Sequence, residues 1–393
     1  MNYEEVKRFN MNSKISNNNI VIRDSNIELL KIVAILLIII SHVINTLCDE
    51  NTHISYQDYV LDLSIATTSV KHFVLLLLRY SGVMGNTIFF ICSAWFLLSS
   101  QKVKKKKWLF MLIEVWFVSI IILAVTYVLR KGDISTEIIF HSFFPTLFAN
   151  NWYLTCYLLF YPIHPYLNIV IKYLNKQQLF RITVSMFILY CCLGFVHSNW
   201  FFPSPIILWI TIYFVVAYIK LYLCGFCNNL KYNCILFIMG FAGWIGLAIV
   251  TNIMGLHISF MRDKMYHWAV NCNPCLIIMA ITLFNITRNI QLRNSLINYI
   301  SSLSILIYLI HENIILRTYY RPIVINFVYE RFGYNHIIFW VLIISVIVLW
   351  LSIICSFIYD KTVRKIVTVI SDVFYKITRE IYIHVESIIL KFD

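Results

Sequence analysis

Ten windows of about 20 residues along this chain are apolar enough to cross a bilayer, and few architectures besides a membrane-spanning helical bundle accommodate them. They run approximately over 28–47, 82–99, 108–129, 152–171, 179–197, 205–224, 232–251, 268–286, 299–316 and 336–358. With 60% hydrophobic and only 13% charged residues over 393 positions, the composition lies far from a soluble domain, where about a quarter of residues are charged. The expected fold class is therefore all-α, a polytopic transmembrane helical bundle of about ten spans. The chain divides into a polar head (1–26), a transmembrane unit (27–360) and a tail (361–393). Two further apolar pieces, 62–80 and 134–149, are interrupted by charge, proline or polar residues and read as interfacial or re-entrant.

The formal charge of +13 suggests nucleic acid only in a soluble protein; here the placement of the basic residues matters more than their sum, and no nucleic-acid partner is expected. The larger share falls in the head (Lys7, Arg8, Lys14, Arg23), at Lys102 and Lys104 to Lys107, in the loops around Lys172, Lys220 and Arg288, and after Lys361. By the positive-inside rule both termini face the cytoplasm. The head lacks the short apolar core and small-residue cleavage site of a removable signal, so Ile27 onward reads as a retained first span. In the tail Ile366, Val369, Ile370, Val373, Phe374 and Ile377 recur with helical spacing, as in an amphipathic helix lying on the inner leaflet. The two CxxC pairs, Cys224/Cys227 and Cys272/Cys275, fall on opposite sides of that topology without a nearby histidine. They read as small apolar residues, and no metal is expected.

The first span, IELLKIVAILLIIISHVIN, carries Lys31 near its start and His42 near its far end. Eleven helical steps bring the two within about 20° of one direction, roughly 16 Å apart along the axis. Ionisable groups are expensive against lipid, so this face looks into the bundle or a wet cavity, where His42 is either a functional group or a hydrogen-bonded packing histidine. In the ninth window Glu312 beside His311 either orients and tunes a histidine or forms a structural ion pair with Arg317. Asn86 and Ser93 are either hydrogen-bond donors to a substrate or interhelix packing contacts. Trp152 and Tyr153 stand where an aromatic belt is the default and sugar stacking the alternative. Lys104, Lys105, Lys106 and Lys107 form either a topology-fixing cluster or an anion-attracting one, and Glu114 is either a partner for a lysine of that run or part of a pocket. Gly240, Gly243 and Gly246 read as a close-packing face.

Four blocks resemble the integral-membrane acyltransferases that O-acetylate bacterial surface polysaccharides, acyltransferase family 3. These are IELLKIVAILLIIISH, GVMGNTIFFICSAWFLL, NNWYLTCYLLFYPIHPYLN and SSLSILIYLIHENIILR, spread in the family's order over residues 27–317. The chain departs from the pattern in having Lys31 for the usual arginine, Ser93-Ala94-Trp95 for Ser-Gly-Tyr, and lysines at 104–107 where arginines are usual. The resemblance implies a multi-pass enzyme of the bacterial plasma membrane. Its implied reaction moves an acetyl or other short acyl group from acetyl-CoA, a donor substrate, to a hydroxyl of a surface polysaccharide or lipid-linked glycan. His42 would be the base or the transient acyl carrier. Lys31 would position the donor, with Lys104 to Lys107 as an electrostatic funnel. Two rival classes remain: a transporter or flippase of lipid-linked sugars, which would also have ten or more spans but typically shows internal repeats not found here, and a polysaccharide polymerase, which would carry a large polar outer loop.

Overall fold

A computed structural model describes residues 24–48, 55–56, 59–60, 66–194, 204–259, 261 and 272–389. The basic head before Asp24, the start of the 62–80 piece, residues 195–197 and 268–271 of two expected spans, and Arg262 and Lys264 lie outside the described residues. Chain order begins with α1 (Ser25–Thr46), α2 (Val70–Arg79), α3 (Ser81–Leu97), α4 (Lys105–Leu129) and α5 (Thr136–Phe143). It continues with α6 (Trp152–Tyr173), α7 (Lys176–Phe187), α8 (Pro205–Tyr222), α9 (Cys224–Asn228), α10 (Leu230–His257) and α11 (Pro274–Arg288). The last are α12 (Ser295–Ser302), α13 (Ser304–His311), α14 (Arg321–Phe332), α15 (Ile337–Thr362) and α16 (Arg364–Ile389). Among the described residues the β-structure is one two-residue ladder, Ser55–Tyr56 against Tyr59–Val60.

Helix starts follow local chemistry. Asn175 and Gln178 form a reciprocal capping box at α7, Asn273 caps α11 just ahead of Pro274, and Asn294 caps α12. Seven helical stretches are long and apolar enough to cross a membrane: α1, Val70–Leu97, α4, α6, α8, α10 and Tyr334–Thr362. The chain is thus a multi-pass membrane protein in a lipid environment, with seven such stretches where ten were expected. Three windows lack a single long helix. Residues 179–197 become α7 and a π-helical segment, Ile188–Leu193; α11 has only 15 residues; and 299–316 is broken into pieces. The 62–80 piece also differs, because α2 runs on into α3 as one 28-residue stretch. Its terminal charges are satisfied sideways, Lys71 by Asn335 Oδ1 at 3.3 Å and Arg79 by Asn45 Oδ1 at 2.7 Å, so they do not stop the helix. The 134–149 piece holds only α5, whose Phe140 and Phe143 are exposed.

At the centre stands α1, packed against α3, α11, α12, α13 and α15. Lipid tails are as apolar as leucine, so helices in a bilayer associate by close packing, and small residues permit it. At Gly85 an added Cβ would sit 2.5 Å from the Ala34 carbonyl oxygen, and at Gly82 2.5 Å from Ser41 Cβ. These two glycines are the close approach that holds α3 on α1. The 240/243/246 face is looser: a Cβ added at Gly240 would meet Met279 and one at Gly243 would meet Cys275, whereas one at Gly246 would meet nothing within 4 Å among the described residues. Gly85→Val is expected to destabilise the bundle by about 1–3 kcal/mol through overpacking against backbone. Thermal unfolding of the detergent-purified variant reads this as a lower Tm, and an unchanged Tm would show that α3 can slide on α1.

The break in the ninth window positions the site. Ser304 Oγ bonds back to Ser301 O and Ser302 Oγ to Tyr299 O, both at 2.6 Å, so hydroxyls compete with the backbone ladder where α12 gives way to α13. At the other end α13 stops at His311, and Asn313 Oδ1 accepts from Ile315 N at 3.0 Å to turn the chain toward the π-helical segment Leu316–Tyr320. Non-helical backbone at membrane depth is tolerated only inside protein or along a cavity. Glu312 sits on this turn. The tail forms α16, which packs on α4, pairs Asp372 with Lys106 at 2.8 Å, buries Val367 and leaves Ile366, Val369, Val373, Phe374 and Ile377 exposed.

Candidate active site

Near the far end of α1, His42 Nδ1 lies 2.7 Å from Glu312 Oε2. A carboxylate on Nδ1 fixes the N–H there and leaves the Nε2 lone pair as the acceptor. No partner for Nε2 is found among the described residues, and the side chain is 16% exposed. His311, one turn after Ile307, donates from Nδ1 to the Ile307 carbonyl at 2.8 Å and turns Nε2 toward His42 Nδ1 at 3.4 Å. The three residues converge from helices 269 positions apart in sequence.

Glu312 is held on both oxygens. Arg317 Nη1 donates to Oε1 at 3.1 Å and Arg321 Nη2 to Oε2 at 3.2 Å. Arg321 also donates to the His42 carbonyl at 3.3 Å and to the His311 carbonyl, tying the end of α1 to the end of α13. The two alternatives for Glu312 therefore coexist: it pairs with Arg317 and it touches a histidine. Sequence reading missed Arg321, which counts there as a loop base; the signal was a second arginine four residues after Arg317, immediately before Pro322. The His42, His311 and Glu312 donor atoms lie within 4.8 Å of one another, a spacing that a metal ion can bridge. However, the carboxylate is already bound by two guanidiniums, and their positive charge opposes a cation at this point. The donor set fits proton transfer better than metal binding.

A cavity of about 420 Å³ occupies the other half of the bundle. Its mouth is marked by exposed Asp24, Phe96 and Lys107, its walls by Lys31, Ser93 and Met111, and its inner end by Phe89, Tyr153 and Tyr308. Tyr308 packs edge-on against His311 with ring centroids 5.6 Å apart, and against Tyr153 at 5.9 Å. Tyr308 thus lines the cavity and touches the histidine pair at once. Tyr308 lies in the fourth of the sequence blocks, which assigned it no role.

The sequence candidates divide accordingly. Lys31, Lys107 and Ser93 line the cavity, although Lys31 Nζ is paired with Glu28 at 3.2 Å and Glu28 accepts from Ser301. Of the remaining lysines, Lys106 is engaged by Asp372, and Lys104 and Lys105 are exposed without lining the cavity. The lysine run is split because α16 crosses α4 there, which local sequence does not reveal. Asn86 and Trp152 are not in the cavity; they share a recess of about 10 Å³ with Trp209. Buried Glu114 meets Arg364 at 3.5 Å rather than a lysine of the run.

Residues 24–359, the bundle without α16, match the family model described as an acyltransferase domain. No curated protein and no solved structure matches the chain. The match spans all four sequence blocks, the cavity walls, His42 and the His311–Glu312 turn. The chain belongs to acyltransferase family 3 and is a membrane acyltransferase.

Proposed function

We propose that the protein transfers an acetyl or other short acyl group from its CoA thioester to a hydroxyl of a cell-surface polysaccharide or lipid-linked glycan at the bacterial plasma membrane. The observation carrying this reading is the alignment along α1 of a cavity whose charged lining includes Lys31 and Lys107 beside Glu28 and Asp24, with a histidine–carboxylate pair beyond its inner end. Both termini and the mouth face the cytoplasm, and no metal takes part.

In the reaction the acceptor oxygen attacks the thioester carbonyl while His42 Nε2 takes the hydroxyl proton. Collapse of the tetrahedral intermediate breaks the C–S bond, and the proton passes from the imidazolium to the departing CoA thiolate. Glu312, hydrogen-bonded to Nδ1, stabilises the imidazolium, and Arg321 holds both partners in place. In the covalent variant Nε2 attacks the thioester carbonyl and expels CoA thiolate; the sugar hydroxyl then attacks the acyl-imidazole, its proton passing to that thiolate as His42 is released. Lys107 at the mouth and Lys31 on the wall attract the donor's phosphates.

The test is release of free CoA thiol from acetyl-CoA by the purified protein with a glycan acceptor present. A lipid-linked-sugar flippase releases none, and absence of thiol with a competent acceptor overturns the reading. In the same assay Lys31→Met is expected to raise KM for acetyl-CoA about tenfold with kcat changed less than about threefold, the signature of lost binding rather than lost chemistry. Lys31→Arg keeps the charge beside Glu28 and should restore most of the affinity; equal KM values in all three forms would remove Lys31 from donor binding.

A further inference from the structure

At the end of the bundle where the cavity opens, α3, α8 and α11 finish close together. Lys220, two residues before the end of α8, donates from Nζ to the Trp95 carbonyl and to Ser99 Oγ at 2.8 Å, closing the last turn of α3. Arg288, the last residue of α11, has its guanidinium carbon 4.1 Å from the centre of the Trp95 ring, and Lys220 Nζ is 4.9 Å from the same point. Two cations thus share one indole. Among the described residues no carboxylate lies within ion-pair distance of either, while other buried or half-buried arginines of this bundle, Arg321 and Arg364, have one. Arg288 Nη1 is buried without a hydrogen-bond partner, and the side chain's polar neighbour is the Cys227 thiol.

Capping explains Lys220. It does not explain Arg288, whose fork bonds to no carbonyl, and bringing a second positive charge beside the first costs free energy unless an anion joins them. The pair lies near the cavity mouth without lining it. Trp95 lies between Ser93 and Phe96, both cavity-lining, and the carbonyl of Thr287, next to Arg288, accepts from Asn26 at 2.7 Å, two residues from Asp24 at the mouth. An arginine with an unsatisfied edge, a lysine and an aromatic face suit a phosphate ester, which accepts the planar fork of guanidinium in bidentate fashion.

We propose that Arg288 and Lys220, gathered on Trp95, form a phosphate-ester binding site beside the cavity mouth. The phosphate is supplied either by the donor's nucleotide, in which case the site rests on the acyl-CoA reading and deepens it, or by the headgroup of an anionic lipid.

The experiment uses the full-length protein in nanodiscs, with wild type, Arg288→Gln and Arg288→Lys compared. In phosphatidylcholine discs, calorimetry measures binding of CoA and of pantetheine, which carries no phosphate. In mixed discs, mass spectrometry measures phosphatidylglycerol retained on the protein. A donor phosphate predicts CoA bound about tenfold more weakly by Arg288→Gln, partial recovery in Arg288→Lys, and pantetheine binding unchanged. A lipid phosphate predicts unchanged CoA binding with several-fold less phosphatidylglycerol retained. Wild type that ignores CoA yet loses phosphatidylglycerol on Arg288→Gln supports the site while overturning the acyl-CoA reading. Should the glutamine variant fold poorly, hydrogen exchange on wild type replaces it: protection across 217–228 and 283–290 on adding CoA or phosphatidylglycerol supports the site. Unchanged CoA affinity together with unchanged lipid retention, or no protection with either ligand, overturns the proposal and leaves the pair as helix-end caps.

Discussion

His42→Ala is expected to lower kcat for acyl transfer by about 10²–10⁴-fold, the range contributed by a positioned base. The fold should survive, because Arg321 holds position 42 through its backbone carbonyl and alanine is the best helix former. The side chain is also partly exposed rather than a core filler. The measurement is mass spectrometry of glycan acylation in cells carrying wild type or variant at equal membrane abundance, backed by CoA thiol release in vitro. Undiminished acylation at matched abundance would leave His42 a packing histidine and remove the proposed chemistry.

Glu312→Gln should cost nearly as much in rate and more in stability. The carboxylate faces an imidazole and two guanidiniums, and an amide cannot neutralise them. Breaking a buried ion pair by removing one partner costs about 3–5 kcal/mol, so Tm should fall clearly, although half-exposed Arg317 can turn to water and soften the loss. The catalytic share is read separately, as kcat per folded enzyme, and should drop about 10²-fold or more because the imidazolium loses its counter-charge. Arg321→Met keeps the His42–Glu312 contact and should damage Tm more than kcat, as befits a residue that positions others. If Glu312→Gln loses only stability and retains wild-type kcat, the carboxylate is a structural ion-pair partner and nothing more.

What could be read from the chain and what could not follows physical lines. Helices such as α1, α4 and α15 announce themselves because apolarity and length are local properties. The ninth window hides its break because a hydropathy average ignores what Ser302 and Ser304 do with their hydroxyls. His42 and Lys31 stand out as polar residues at helical spacing within one span. Their partners are another matter. Glu312 is nominated by its neighbour His311, but its meeting with His42 depends on α13 lying beside α1. Arg321 and Tyr308 take their roles wholly from that meeting. The lysine run shows the opposite error, since four adjacent charges look like one feature until Asp372 on α16 claims Lys106.

The aromatic layer at Tyr153 and Tyr308 carries a consequence for the host cell. A span with ionisable groups toward both ends invites a file of water, and a file of water would let protons run down the voltage across the membrane. Two rings packed edge to face narrow that file in the middle. Rings that narrow the file there keep the leak small in a bundle that carries ionisable groups toward both ends of α1.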